Sequence, residues 1–356
     1  MRHRILGSCV VLTAAVIAVI LAAAWLAPAA QAQQAAGSAP GAKPYTPPKT
    51  PWGDPDIQGI FTSDDYINVG LQRQPQFGDR LFFTEEEMAQ RNAQIQNQAK
   101  NDLQEFANPD ARVGTGPPGH WGERARRAPR QTSLIVDPAD GRMPALTPDG
   151  RERDAWARAN IQGAGTSRPA DSWEGYSYYI RCITRGVAGS MLPVIYGNGT
   201  EIVQGPGYVA IMNEMVHEAR IIPLDGRPHV GSNIRSYMGD SRGRWEGNTL
   251  VVETTNFLHN KTGIGPNGGG PPTSDALRLV ERFTRTAPDE LYYELDVDDP
   301  KTFTRPFKIA FPIRQVPGYK NFEYACHEGN HGMMNQLSAA RAQEKAAEEA
   351  AKKGQQ

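Results

Sequence analysis

From Tyr208 to Ile313 the chain is a series of short runs of β-branched and aromatic residues broken by turn residues. No other stretch limits the possible folds so tightly. At its centre, Gly239-Asp240-Ser241-Arg242-Gly243-Arg244-Trp245-Glu246-Gly247-Asn248-Thr249-Leu250-Val251-Val252-Glu253-Thr254-Thr255-Asn256-Phe257 carries a Glu-Gly-Asn turn into a β-branched run, the pattern of a hairpin feeding a half-buried strand. Strands are expected over 207–215, 218–222, 249–257, 277–286, 290–297 and 302–313, separated by Asp225-Gly226, Gly247-Asn248, the loop 263–272 and Ala287-Pro288-Asp289. No long helical pattern intervenes, so βαβ units are disfavoured and a mainly β protein with accessory helices is expected, an antiparallel meander closed as a barrel or sandwich.

A chain of 356 residues, 39% hydrophobic and 22% charged, can bury a substantial core around such a sheet, lipocalin-like in broad outline. Lys+Arg 38 against Asp+Glu 39 leaves a formal charge of -1, and without Arg2 and Arg4 it becomes 36 - 39 = -3. That balance gives no reason to expect nucleic acid or anionic lipid as a partner. The local cluster Arg124, Arg126, Arg127 and Arg130 is expected in a solvated loop.

Residues 1–32 have the form of a secretory leader: a charged start at Arg2 and Arg4, an apolar run from Ile5 to about Leu26, and a small-residue site at Ala30-Gln31-Ala32. A periplasmic or secreted location follows, with no stable membrane insertion after cleavage. The apolar run exceeds an ordinary leader core, which makes an uncleaved anchor the alternative. Leu6-Gly7-Ser8-Cys9 imitates a lipoprotein signal, but its Cys precedes most of the apolar run, which argues against lipidation. Loss of Cys9 with the leader leaves Cys182 and Cys326, for which one disulfide is expected and two buried thiols are the alternative.

The order along the chain is then a flexible Ala/Gly/Pro tether over 33–50, a single β-rich domain over 51–332 with peripheral helices, and a helix and tail over 333–356. Phe83-Thr84-Glu85-Glu86-Glu87-Met88 is a helix start, with Thr84 and Glu87 placed for a capping box and Phe83 for a staple onto Met88. Met88, Ile95, Ala99, Leu103 and Phe106 recur near helical spacing and are expected to pack on the body. Thr147-Pro148 starts a second short helix.

Strand alternation singles out charges in apolar register. Glu281 lies between Leu279 and Phe283, Arg305 between Phe303 and Phe307, and Glu253 between Val251 and Thr255. A buried charge needs a partner, so Arg305 is expected to meet Glu281 or Glu253 inside the sheet. The pair would serve either as a structural bridge or as the polar floor of a ligand pocket. A second constellation, Tyr324-Ala325-Cys326-His327-Glu328-Gly329-Asn330-His331, contains H-E-x-x-H. The zinc form of that motif needs a continuous helix, and its Gly-Asn interior and the following Gly332 argue against one. No metal ligand set and no cofactor are therefore assigned. The dense group Asn213, Glu214, His217, Glu218, Arg220, Asp225, Arg227 and His229 is either a pocket mouth or a solvated hairpin. A Cys182–Cys326 bridge would bring Tyr178, Tyr179 and Arg181 close to His327, where the aromatics could wall a flat or apolar ligand.

Three of these stretches, Pro51-Trp52-Gly53-Asp54-Pro55-Asp56, Gly239 to Phe257, and Tyr324-Ala325-Cys326-His327-Glu328-Gly329-Asn330, together resemble a widespread family of secreted bacterial proteins with no established activity. The resemblance implies export. It also implies that His331, often Tyr in that family, is not an obligatory metal ligand. The function expected is binding of a small apolar or aromatic organic molecule in a β-enclosed pocket, with cofactor-free acid–base catalysis as its enzymatic form. His327 would shuttle the proton, Glu328 assist, and Arg305 with Glu281 stabilise an anion. Tyr178, Tyr179, Arg181, His217, Glu253 and Tyr324 would contact substrate. A non-catalytic carrier and a zinc hydrolase built on the H-E-x-x-H motif are the alternatives.

Overall fold

Nine strands follow one another around one sheet in the computed structural model, which describes residues 45–107, 122–162, 170–216, 218–258 and 262–353. In chain order the strands are β1 (Gly59–Thr62), β2 (Ile135–Asp137), β3 (Gly199–Gly205), β4 (Tyr208–Asn213), β5 (Ala219–Pro223), β6 (Asp240–Glu246), β7 (Thr249–Thr255), β8 (Arg278–Ala287), β9 (Glu290–Asp298) and β10 (Phe307–Gln315). The spatial order is β5-β4-β3-β1-β10-β9-β8-β7-β6, with β2 added beside the first half of β10, and every pairing is antiparallel. Two meanders are thus joined through β1, a short strand held between β3 and β10. The outer strands β5 and β6 approach each other: a Cβ on Gly243 would lie 2.9 Å from Ile222 Cγ2 and 2.5 Å from Leu224 Cδ2. The sheet is a nearly closed barrel, as the turn-separated strand runs predict.

Period-two alternation fills its interior. Two series of cross-strand neighbours run through it, Ile202–Ile211–Arg220 on β3 to β5 and Ile309–Leu295–Glu281–Val252 on β10 to β7. Phe61, Phe283, Tyr293 and Phe311 complete a packed cluster.

Thr84 and Glu87 form the expected capping box at the start of α1 (Glu85–Ala107): the Glu87 N–H donates to Thr84 Oγ1 at 3.2 Å and the Thr84 N–H to Glu87 Oε2 at 2.7 Å. The packing expected for this helix is not found. Met88 and Ile95 are only half-buried and Leu103 is 72% exposed, because Gln and Asn around them leave too narrow an apolar stripe to hold the helix down. Phe83 packs instead against Phe77, under the Arg91 guanidinium. Helix α2 (Pro148–Asn160) starts at the Thr147 cap, whose Oγ1 accepts from Gly150 N–H at 3.0 Å. The six-residue α3 (Gly186–Met191) is wholly buried. In α4 (His331–Lys353) only Ala340 is buried among the described residues. From Thr46 onward the chain is one compact unit. The leader and most of the 33–50 tether lie outside the described residues. No described helix is long and apolar enough to cross a membrane.

Candidate functional site

Where β1 stops, β3 starts and β4 stops, the strand ends release a set of polar residues into a shared space. Asp64 follows β1, Asn198 precedes β3, and Glu214 follows β4. Asn198 Nδ2 donates to Asp64 Oδ1 at 3.0 Å and to Glu123 Oε2 at 2.8 Å, so two carboxyl groups meet at one amide nitrogen. The Gly197 N–H holds the other Glu123 oxygen at 2.9 Å. Burial, followed by the hydrogen bond and charge of Asp64, pushes the Glu123 pKa up to about 8. Glu123 therefore keeps its proton at neutral pH. Glu214 accepts from the Tyr319 hydroxyl at 2.5 Å and from the Phe322 N–H at 3.0 Å, tying the segment after β10 back over this end of the sheet.

Beside the carboxyl pair lies Arg185, 1% exposed. Its Nη1 and Nη2 donate to the Gly197 and Leu192 carbonyls, both at 3.4 Å, and its Nε has no partner. No described carboxylate stands within ion-pair distance of it. Burial lowers its pKa to about 10 against the opposing pull of Tyr179, Tyr324, Glu123 and Tyr196. Those three tyrosines are half-buried, and the Tyr196 hydroxyl is within hydrogen-bonding reach of both Tyr179 and Tyr324.

The Cys182–Cys326 disulfide is formed, with Cα atoms 5.7 Å apart. Asn330 Nδ2 reinforces it by donating to the Ile180 carbonyl at 2.8 Å. Next to the bridge, Arg181 stacks its guanidinium over Trp173 at 4.5 Å, and Tyr178 meets Tyr237 edge-on with centroids 5.0 Å apart. Tyr179 also borders a cleft of about 310 Å³, walled by Ala157 of α2, Ile161 just after it, Ile180, and the loop Pro266–Pro272. That loop can lie close because α3 has glycine where they meet: a Cβ on Gly189 would come 2.4 Å from Gly268 N. Inside the loop, Asn267 Oδ1 is buried without a donor. Asp64 and Tyr319 border a second cleft of about 630 Å³, shared with Arg126, Arg127 and Arg314.

The remaining predicted site residues do not converge here. Glu281 is fully buried, but its partner is Arg220 from β5 across the barrel, with Nη1 2.6 Å and Nη2 3.0 Å from the carboxylate oxygens. The Tyr293 hydroxyl adds a third hydrogen bond at 3.2 Å. Burial pulls the Arg220 pKa down, yet the adjacent Glu281 outweighs it and holds the guanidinium above its ordinary range. Arg305 is exposed: Pro306 precedes the first residue of β10, so Phe303 and Arg305 lie in an irregular turn where strand alternation has no meaning. Glu253 faces outward, pairing with Arg278 and lying 3.3 Å from His229 Nε2. Leu250, Val251 and Val252 are all buried, so the pattern there did not reveal which face is inside. His327 and Glu328 are exposed turn residues, and helix begins only at His331, which is also exposed. Among the described residues no three His, Cys, Asp or Glu are arranged to hold a metal ion. His217 lies outside the described residues.

Comparison of the chain with protein-family models, with curated proteins and with solved structures finds no match. What the site can do therefore rests on its own chemistry. The structure brings Tyr179, Tyr324 and Glu214, which the sequence singles out, to the same end of the barrel as Asp64, Glu123, Arg185, Tyr196 and Asn198, which it does not, and it places Tyr178 and Arg181 beside the disulfide. One signal was available: Arg185 is the only charge between Cys182 and Leu192, in a stretch otherwise apolar or Gly-rich.

Proposed function

We propose that the protein is exported and binds a small, largely apolar or aromatic organic molecule at the tyrosine-lined end of the barrel. Export is supported by the leader pattern of residues 1–32 and by a disulfide suited to an oxidising compartment. The observation that carries the binding proposal is the cleft of about 310 Å³ between α2, Ile180 and the Gly-rich loop. Its size is at the lower end for ligand pockets, and its lining is mostly aliphatic with a few placed polar groups. The unpaired Asn267 Oδ1 would be satisfied by a ligand O–H or N–H.

The test is the thermal midpoint of the purified protein with phenol and with toluene. Both should raise it, and phenol should bind roughly fivefold tighter, the worth of one neutral hydrogen bond. Gly189→Ala, which forces the loop away from α3, should abolish both effects. Failure of either aromatic to shift the midpoint up to its solubility limit would overturn the proposal.

An enzymatic form would draw on the carboxyl pair at the second, larger cleft, which Asp64 borders and beside which Glu123 is held protonated. In that form Glu123 is the acid and Asp64 the base. A Glu123→Gln variant that still binds ligand but no longer turns it over is the expected outcome.

A further inference from the structure

Three arginines are buried among the described residues: Arg73, whose Nη1 donates to the Ala139 carbonyl, and Arg220 and Arg185, whose surroundings are opposite. Arg220 is held by both oxygens of Glu281. Arg185 is equally hidden, but its two hydrogen bonds are long and go to neutral carbonyls. Glu123, the carboxyl group that acts on its charge, has both oxygens committed to the Gly197 N–H and Asn198 Nδ2, and burial with Asp64 pushes its pKa up to about 8. A full charge removed from water without a compensating partner is costly, and proteins otherwise pair it or use it. The groups around Arg185 extend its character. The hydroxyls of Tyr179, Tyr196 and Tyr324 lie near enough to act on the charge of the same guanidinium, and no described carboxylate stands within ion-pair distance of it. A concentration of donors around an uncompensated cation is complementary to an oxyanion. These tyrosines are also only half-buried, so the charge is separated from solvent by side chains able to move aside.

We infer that Arg185, with Tyr179, Tyr196 and Tyr324, is an anion-binding site, and that the ligand is a small aromatic acid whose carboxylate is seated on Arg185. This rests on the proposal that this end of the barrel binds a small organic molecule, and it names the ligand's class. Tyr179 links the two parts, since it both borders the apolar cleft and belongs to the tyrosine group over Arg185.

The experiment is calorimetric titration of the purified protein with benzoate, benzamide and phenol at neutral pH and fixed chloride. Benzoate and benzamide share shape and differ in charge, and phenol probes the cleft alone. Benzoate should bind about tenfold or more tightly than benzamide, the usual advantage of a charge-assisted hydrogen bond. That preference should vanish in Arg185→Gln and shrink in the double variant Tyr196→Phe/Tyr324→Phe, which keeps the ring packing and decides the matter should Arg185→Gln fail to fold. Equal binding of benzoate and benzamide, or a benzoate preference that survives the substitutions, overturns the anion site while leaving the cleft proposal standing. Phenol binding without benzoate binding does the same. Loss of all three ligands overturns both.

Discussion

Glu281 and Arg220 meet where neither can reach water, and their bidentate contact crosses the barrel from β8 to β5. Replacing one partner strands the other charge in the core, so Glu281→Gln should cost about 3–5 kcal/mol, whereas Arg220→Met/Glu281→Leu should be neutral to stabilising. Urea unfolding of the three proteins checks this, and a single-variant loss below about 1 kcal/mol would mean that the pair is hydrated. Glu123 makes a different kind of prediction. Its carboxyl is held protonated in the folded protein up to about pH 8 against an ordinary value of 4.5. The folded state therefore binds a proton that the unfolded chain has released across that interval. The resulting stabilisation is complete below the ordinary value and is lost as the pH rises toward 8. Thermal midpoints measured across this range should decline in the wild-type protein and flatten in Glu123→Gln, and parallel curves would show that Glu123 is not desolvated.

Most of the strands could be read from residue type and turn chemistry, because a half-buried antiparallel strand writes its own alternation into the sequence. An antiparallel meander, closed as a barrel or a sandwich, follows from the lack of intervening helices, and the structure shows the nearly closed barrel. What could not be read was pairing across long separations. β1 is only Gly-Ile-Phe-Thr, and β3 follows the turn-rich Tyr196-Gly197-Asn198; neither announces that β1 is the piece joining the two meanders. The partner of Glu281 failed for the same reason. In the sequence Arg220 reads only as part of a group that is either a pocket mouth or a solvated hairpin, and which guanidinium crosses the barrel depends on closure between β5 and β6, not on local pattern. Arg305 was misplaced because alternation was carried past Pro306, beyond the first hydrogen-bonded residue of β10. At the candidate site the aromatic residues near Cys182 and Cys326 were found, since a disulfide is a distance constraint visible in sequence. The carboxyl pair was not, because Asp64 and Glu123 are brought together by Asn198, which belongs to neither neighbourhood.

For the whole molecule, the disulfide divides the protein into a part that holds itself together and a part that is held. The strands from β6 to β10 are held by their own ladders and packed on the common core. Among the described residues the segment after β10 pairs with no strand, and Glu214, which receives Tyr319 and the Phe322 N–H, and Cys326 tie it to the barrel. Cys182 and Cys326 are separated by 144 positions, and the chain-entropy cost of leaving that loop open is about 5 kcal/mol, an upper value for measured disulfides. Cys182→Ser/Cys326→Ser should therefore lose about 2–5 kcal/mol in global stability. The loss should also be uneven. Native-state hydrogen exchange should speed up at Phe322 and Gly197, whose N–H groups are bonded to Glu214 and Glu123, before it does at Leu295 in β9. Loosening there releases Tyr324 from Tyr196 and exposes Arg185 to water, so ligand affinity should fall in the same variant even at temperatures where the barrel remains folded. Equal acceleration in β9 and in the segment after β10 would mean that the bridge supports the entire barrel and that the site has no separate stability of its own.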